Sequence, residues 1–169
     1  MNNLLIRDAD PDDMDRITEI YAHHILNGLA SFEEIPPTVQ DMGERFEATL
    51  ASGLPYLVAE QNNIVMGYAY AGAYRARPAY RFSVENSVYV ANDMQGKGIG
   101  SALLKATIDA FDDLDYNLMI AVIGDSGNKA SIELHKRHGF EMVGILKKVG
   151  FKHNRWVDTV LMQLSLTKN

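Results

Sequence analysis

Apolar positions along the chain change period several times, and each change marks an element. Leu4 to Arg7 reads as a short strand. Asp10-Pro11-Asp12-Asp13 then has the marks of a helix start: a capping aspartate, a proline suited to the first turn, and acids matched to the helix dipole. Met14, Ile17, Ile20, Tyr21, His24 and Ile25 follow at helical spacing and form its buried stripe. Asn27 to Pro37 is a loop. Thr38 caps a second helix with Val39, Met42, Phe46 and Leu50 on one face, and Gly53 ends it. The period then falls to two. Tyr56 to Glu60 and Ile64 to Ala73 are strands joined by the hairpin signal Gln61-Asn62-Asn63. Tyr74 to Phe82 is a loop rich in Arg and Tyr, and Ser83 to Val90 a strand. Gly98 to about Asp112 is a helix that buries Leu103, Leu104, Ile108 and Phe111. Leu118 to Ile123 is a buried strand, Asn128 to His138 a helix closed by Gly139, and Glu141 to Lys148 and Arg155 to Leu166 are the last strands. The order β-α-α-β-β-β-α-β-α-β-β predicts a mixed sheet with helices on both faces, an α/β (α+β) architecture.

Composition narrows the picture. No linker, repeat or low-complexity segment divides the 169 residues, so one domain spans 1–169. No apolar run approaches the ~20 residues that cross a bilayer. The start, Met1 to Arg7, lacks the basic head and apolar body of a signal peptide, and a cytoplasmic location is expected. Absence of cysteine excludes disulfides, thiolate metal sites and cysteine nucleophiles. A net charge of −6 with no basic block argues against nucleic acid as a partner. The five histidines show no metal-ligand spacing, so no metal is expected.

The candidate chemistry lies where the strand Ser83 to Val90 runs through Ala91-Asn92-Asp93-Met94 into Gln95-Gly96-Lys97-Gly98-Ile99-Gly100-Ser101. Glycines let an anion approach main-chain N–H groups, and the following helix start adds free amides and a positive dipole end. This is either a pyrophosphate cradle or merely a tight connection. The Walker pattern fails because Lys97 sits between glycines with no Ser or Thr after it. The dinucleotide fingerprint fails because the glycines are wrongly spaced and lie mid-chain.

Gln95-x-x-Gly98-x-Gly100 after Val88-Tyr89-Val90 resembles the acetyl-CoA motif of the GNAT acetyltransferases. Asn128 to Phe140, an Asn-opened helix ending in Gly-Phe, resembles that family's second signature. Glu85 to Val90, Ala121 to Gly124, and Val149-Gly150-Phe151-Lys152-His153 with Trp156 and Asp158 resemble its phosphinothricin and methionine-sulfoximine acetyltransferase subfamily. The resemblance covers nearly the whole chain. It implies the GNAT fold, with two central parallel strands splayed to admit acetyl-CoA, and acetylation of the α-amino group of a small amino-acid analogue.

The same resemblance implies roles. Val88, Tyr89 and Val90 would pair with the pantetheine arm, while Gln95, Gly96, Lys97, Gly98, Ile99, Gly100 and Ser101 would surround the pyrophosphate, with help from Asn128. Arg137 could reach a CoA phosphate or be a solvated helix residue. Strand alternation puts Glu85, Ser87 and Tyr89 on one face and Val84, Asn86 and Val88 on the other. A carboxylate there belongs to a solvated face or to a cleft; the resemblance makes Glu85 the general base that takes the proton of the attacking amine. It also assigns Glu85, Asn86 and Ser87 to substrate contact, and Arg75 and Arg77 to its acidic end, for which a guanidinium fork is suited. Phe32 is a candidate for the substrate wall or for core packing. Many family members carry a tyrosine seven residues after the helix-opening Asn, proposed to protonate the leaving thiolate. Here the residue is His135, which titrates near neutrality and could serve, or could be a packed structural histidine.

Two other functions fit the same motifs: acetylation of protein N-termini or lysines, and a non-catalytic acetyl-CoA sensor. Arg155 to Leu164 carries apolar residues on both strand faces. A helix could cover the second face; the resemblance favours a homodimer, with Phe151-Lys152-His153 near the partner's substrate cleft.

Overall fold

The computed structural model describes residues 4–166. The elements are β1 (Leu5–Asp8), α1 (Met14–Asn27), α2 (Val39–Ala51), β2 (Tyr56–Gln61), β3 (Ile64–Ala73), β4 (Ser83–Val90), α3 (Ile99–Asp109), β5 (Leu118–Gly124), α4 (Lys129–Arg137), β6 (Glu141–Lys152) and β7 (Arg155–Ser165). Local signals act as expected. Asp10 and Asp13 form a capping box before α1, and Thr38 and Asp41 form another on α2. Asn62 and Asn63 take the left-handed backbone of a two-residue hairpin, with φ of 55° and 61°.

The strands form one sheet in the order β1-β2-β3-β4-β5-β7-β6. Among the described pairs only β4 and β5 run parallel. α1 and α2 cover one face, where Ile17, Ile20, Ile25 and Phe46 pack on Tyr56, Val58 and Tyr68. α3 covers the other face through Leu103 and Leu104, and α4 joins it through Ile132 and Leu134.

The structure departs from the sequence reading in two places. Val39 and Leu50 of α2 are 42% and 47% exposed, because the helix touches the core only through Met42 and Phe46. β6 does not stop at Lys148. It bulges, its register passing from Leu146↔Thr159 to Gly150↔Val157, and continues to Lys152. Lys148 adopts φ 53° there, held by its N–H donating to Asp158 Oδ1 at 2.8 Å. That bond, with Ser126 Oγ donating at 2.7 Å, holds the Asp158 carboxyl down at about 2. Gly150 closes the bulge, a local mark that the sequence reading passed over in ending the strand at Lys148.

The sheet is split at its centre. β4 and β5 pair from Ser83↔Leu118 to Asn86↔Ala121 and then part. Beyond that point β4 stays on β3 as far as Val90, and β5 stays on β7 as far as Gly124.

Candidate active site

The main chain decides what faces this split. Leu118 N–H donates to Phe82 C=O, and Tyr74 N–H donates to Ser83 C=O. Even-numbered residues of β4 therefore turn their peptide groups towards β5, and odd-numbered ones towards β3. Val88 and Val90 present peptide groups to a gap in which none of the described strands pairs with them.

Two cavities open on the split. The smaller, about 60 Å³, is lined by Asn86, Val88, Ala121, Ile123, Asn128, Ser131 and His135. The larger, about 270 Å³, is lined by Tyr21, Ser31, Phe32, Tyr70, Glu85 and Thr159. Ala30, Ser87, Tyr89, Val122 and Gly124 border both. A group passing between the cavities thus crosses beside Ser87 and Tyr89.

Among the described residues, Glu85 is the only charged side chain in the wall of the larger cavity. It is half-buried, and desolvation holds its carboxyl above the ordinary glutamate value; Arg75 opposes the rise with its charge. The cleft reading of Glu85 is the one the fold adopts.

The loop after α1 closes this cavity. Tyr21 Oη donates to Glu33 Oε1 at 2.9 Å and lies 2.9 Å from Ser31 Oγ; Arg45 grips Glu33 through both oxygens, at 2.7 and 3.3 Å. Phe32 lies against Gly124 and Gly150, where any β-carbon would crowd or overlap its ring. Lys152 is buried and donates from Nζ to Ser31 O at 2.6 Å; desolvation pushes its ammonium down, with Glu34 and Glu33 opposing. His153 Nε2 lies 3.2 Å from Gly28 O, so the β6–β7 tip packs on this chain's own loop. Sequence reading missed the part of Lys152 in this wall, since nothing local ties it to Ser31.

On the other side, Asn86 Nδ2 donates to Ile120 O at 3.1 Å, which turns Oδ1 towards His135 Nε2, also at 3.1 Å. Nε2 is therefore a donor. His135 Nδ1 lies 2.8 Å from Ser131 O, an acceptor, while burial holds the ring's pKa below the usual histidine value. Nε2 is thus engaged by Asn86, the Ser131 hydroxyl lies 3.5 Å from Nδ1, and the ring is packed edge-on against Phe140. Asn86 is buried among these groups and lines the smaller cavity, on the strand face opposite Glu85 that alternation gave it.

The glycine turn is as open as expected. Gly96 and Gly98 have φ of 74° and 82°, and Gly98 leaves the start of α3 without a side-chain cap. Gln95 to Gly98 are exposed; Ile99 anchors the helix in the core. Lys97 Nζ donates to Asp93 O at 3.0 Å, and Ser101 Oγ lies 2.8 Å from His138 Nε2. Gly100 sits against Val90 and Leu134. Arg137 is exposed at the end of α4, and Asn128 caps that helix by accepting from Ser131 N–H.

The acetyltransferase (GNAT) domain family matches residues 6–161. The chain belongs to that family. It is 51% identical over 161 residues to a phosphinothricin N-acetyltransferase of Alcaligenes faecalis, covering 95% of this chain and 82% of that protein. It is 39% identical over 166 residues to an L-methionine sulfoximine/L-methionine sulfone acetyltransferase of Salmonella typhimurium, covering 98% and 96%. A crystal structure of a GNAT phosphinothricin acetyltransferase from Sinorhizobium meliloti in complex with acetyl-CoA superimposes with a TM-score of 0.92 at 46% identity, covering 96% and 88%. The chain is thus a GNAT acetyltransferase, and the split sheet is the one this fold class expects.

Within that GNAT frame the two predicted arginines stay outside the cavity wall. Arg75 is exposed with its guanidinium over the Tyr74 ring at 5.0 Å, and Arg77 is exposed beside the single turn Pro78–Tyr80. Among the described residues no cluster of His, Asp and Glu is placed to hold a metal ion, and no helix is long and apolar enough to cross a membrane.

Proposed function

We propose that the chain transfers the acetyl group of acetyl-CoA to the α-amino group of a small amino-acid analogue of the phosphinothricin or methionine sulfoximine/sulfone type, which would confer resistance to such compounds in the cytoplasm. The observation that carries this reading is the half-buried Glu85 in a cavity that joins a second one at Ser87 and Tyr89.

The residues present fit acetyl-CoA. The N–H and C=O of Val88 and the N–H of Val90 suit the amides of a pantetheine arm, and the uncapped start of α3 behind Gly96 and Gly98 suits a pyrophosphate. Bound there, the co-substrate supplies an activated acyl group as a thioester. Glu85, desolvated enough to favour taking up a proton, would accept one from the substrate ammonium and free the amine to attack the thioester carbon. The C–S bond would break and CoA would leave as its thiol, with the proton that the new amide nitrogen sheds. Phe32 and Ser87 shape the substrate's seat, and Arg75 meets its acidic end at the rim, where its charge already reaches Glu85. Because His135 Nε2 is already turned to Asn86 Oδ1, His135 in this reading orients Asn86 at the wall of the smaller cavity, which is the packed-histidine alternative rather than the acid one.

A homodimer belongs to the same reading. β6 is the sheet edge, and Met142, Ile145, Phe151 and Trp156 are 47%, 41%, 52% and 62% exposed on the side it shares with Val160 and Met162. A two-fold pairing would cover this apolar edge. Sedimentation equilibrium at micromolar protein should give twice the chain's 18.8 kDa, and a mass near 18.8 kDa would refute the dimer.

The test of function is a thiol-release assay with phosphinothricin, methionine sulfoximine, methionine sulfone, ordinary amino acids and a peptide, compared by kcat/KM. Preference for an analogue supports the proposal. Preference for the peptide, or binding of acetyl-CoA without turnover of any amine, overturns it.

A further inference from the structure

The carbonyl of Val90 has a partner for which acetyl transfer alone gives no reason. His24 reaches from α1 to the end of β4 and brings Nε2 to 2.8 Å from Val90 O. A carbonyl only accepts, so Nε2 carries the proton and donates it. Burial keeps this imidazole below the usual histidine pKa, with the Val90 carbonyl opposing and His23 adding to the fall. The ring also rests on Tyr89, centroids 5.4 Å apart, and Tyr89 borders both cavities. His24 O in turn accepts from Gly28 N–H, where the loop that walls the larger cavity departs.

Val90 is one of the residues whose peptide groups face the split. Left alone, that edge would offer four groups: N–H and C=O of Val88, and N–H and C=O of Val90. With His24 on the last of these, two donors and one acceptor remain. A pantetheine arm carries two amides and could pair with four such groups in more than one register.

We propose that His24 is a positioning residue for acetyl-CoA: by occupying the Val90 carbonyl it fixes where the ladder between the pantetheine arm and β4 must end, and by bracing Tyr89 it holds the ring at which the two cavities meet. The inference rests on the acetyl-CoA reading above. The two contributions separate in the energetics. In the free protein the split admits water, which can solvate a bare Val90 carbonyl. With the arm in place water is excluded, and a carbonyl without a donor is costly. Loss of the donor therefore weakens co-substrate binding and leaves the free protein nearly as stable as before.

Two variants test this. His24→Phe keeps a ring on Tyr89 and removes the donor. His24→Gln keeps a donor at about the reach of Nε2 and removes the ring. Titration calorimetry measures binding of CoA and of adenosine 3′,5′-bisphosphate, which lacks the arm. Thermal melts measure the free protein. His24→Phe should weaken CoA about tenfold, leave the bisphosphate unchanged and leave Tm close to wild type. His24→Gln should recover most of the CoA affinity. CoA binding unaltered in His24→Phe overturns the inference. Equal loss in both variants, or a parallel loss for the bisphosphate with a lowered Tm, overturns it too and makes His24 a packing residue. A wild-type protein that binds no CoA overturns the acetyl-CoA reading itself, a result distinct from the others.

Discussion

The first four residues of β4, Ser83–Asn86, are hydrogen-bonded to strands on both sides, whereas the last four, Ser87–Val90, keep only the β3 side. The first half is built as core: Val84 is fully buried, and the Asn86 amide reaches across to Ile120 O on β5. The second half is built as an edge. Its side chains are all partly exposed, its inner peptide groups face a gap, and a side chain from another element caps its last carbonyl. The difference shows how a sheet makes a binding slot at low cost to its stability. Pairing stops at one residue whose side chain still bridges the two strands, and the groups left free are those an amide-bearing ligand can satisfy.

Variants on either side of the division sharpen this comparison. Glu85→Gln, in the paired half but facing the larger cavity, should lower kcat by about 100-fold. It should also flatten the acid limb of the pH–rate profile, which burial, by raising the Glu85 pKa, should shift upward in wild type. An unchanged rate and profile would make Glu85 structural. Asn86→Ala should destabilise the fold by about 2 kcal/mol in urea unfolding, because Ile120 O and His135 Nε2 both lose a buried partner. A neutral effect would mean that the side-chain bridge does not hold the branch point.

Next in size is a pair of prolines. Val88→Pro removes an N–H that faces the gap and should weaken CoA binding several-fold, about fivefold, with little change in unfolding midpoint. Ser87→Pro removes an N–H that bonds β3 opposite Tyr70 and should act the other way, on stability first. Similar behaviour of the two would erase the distinction between free and paired peptide groups.

The smallest effect concerns Glu85 and stability. Its folded pKa is raised, so the protein holds that proton more tightly than the unfolded chain does, and ionising it costs stability as pH rises through the unfolded and then the folded pKa. Glu85→Gln should therefore raise Tm by about 1–3 °C at pH 7, with the gain fading below the ordinary carboxylate pKa. Melts at pH 4 and pH 7 check it; equal shifts at both would remove desolvation as the cause.

Much of this was legible without coordinates. The capping boxes at Asp10 and Thr38, the Asn62-Asn63 turn and the glycine turn at Gly96 and Gly98 are local, each set by residues within a few positions of one another. Alternation along β4 was enough to place Glu85, Ser87 and Tyr89 together. The misreadings share a cause. The exposure of Val39 and Leu50 and the bulge around Lys148 both depend on what other elements cover or bond.

By itself, then, the sequence determined the order of elements, the face of each strand and the family, because hydrophobic period, turn chemistry and motif spacing are carried by neighbours in the chain. Tertiary structure alone decided which acceptors and surfaces meet. His24 and Val90 are 66 residues apart, and Lys152 and Ser31 are 121 apart. Neither pair has any local pattern to announce it. Each exists because a helix or hairpin, folded for its own apolar face, brings a polar side chain to a carbonyl that would otherwise lack a partner.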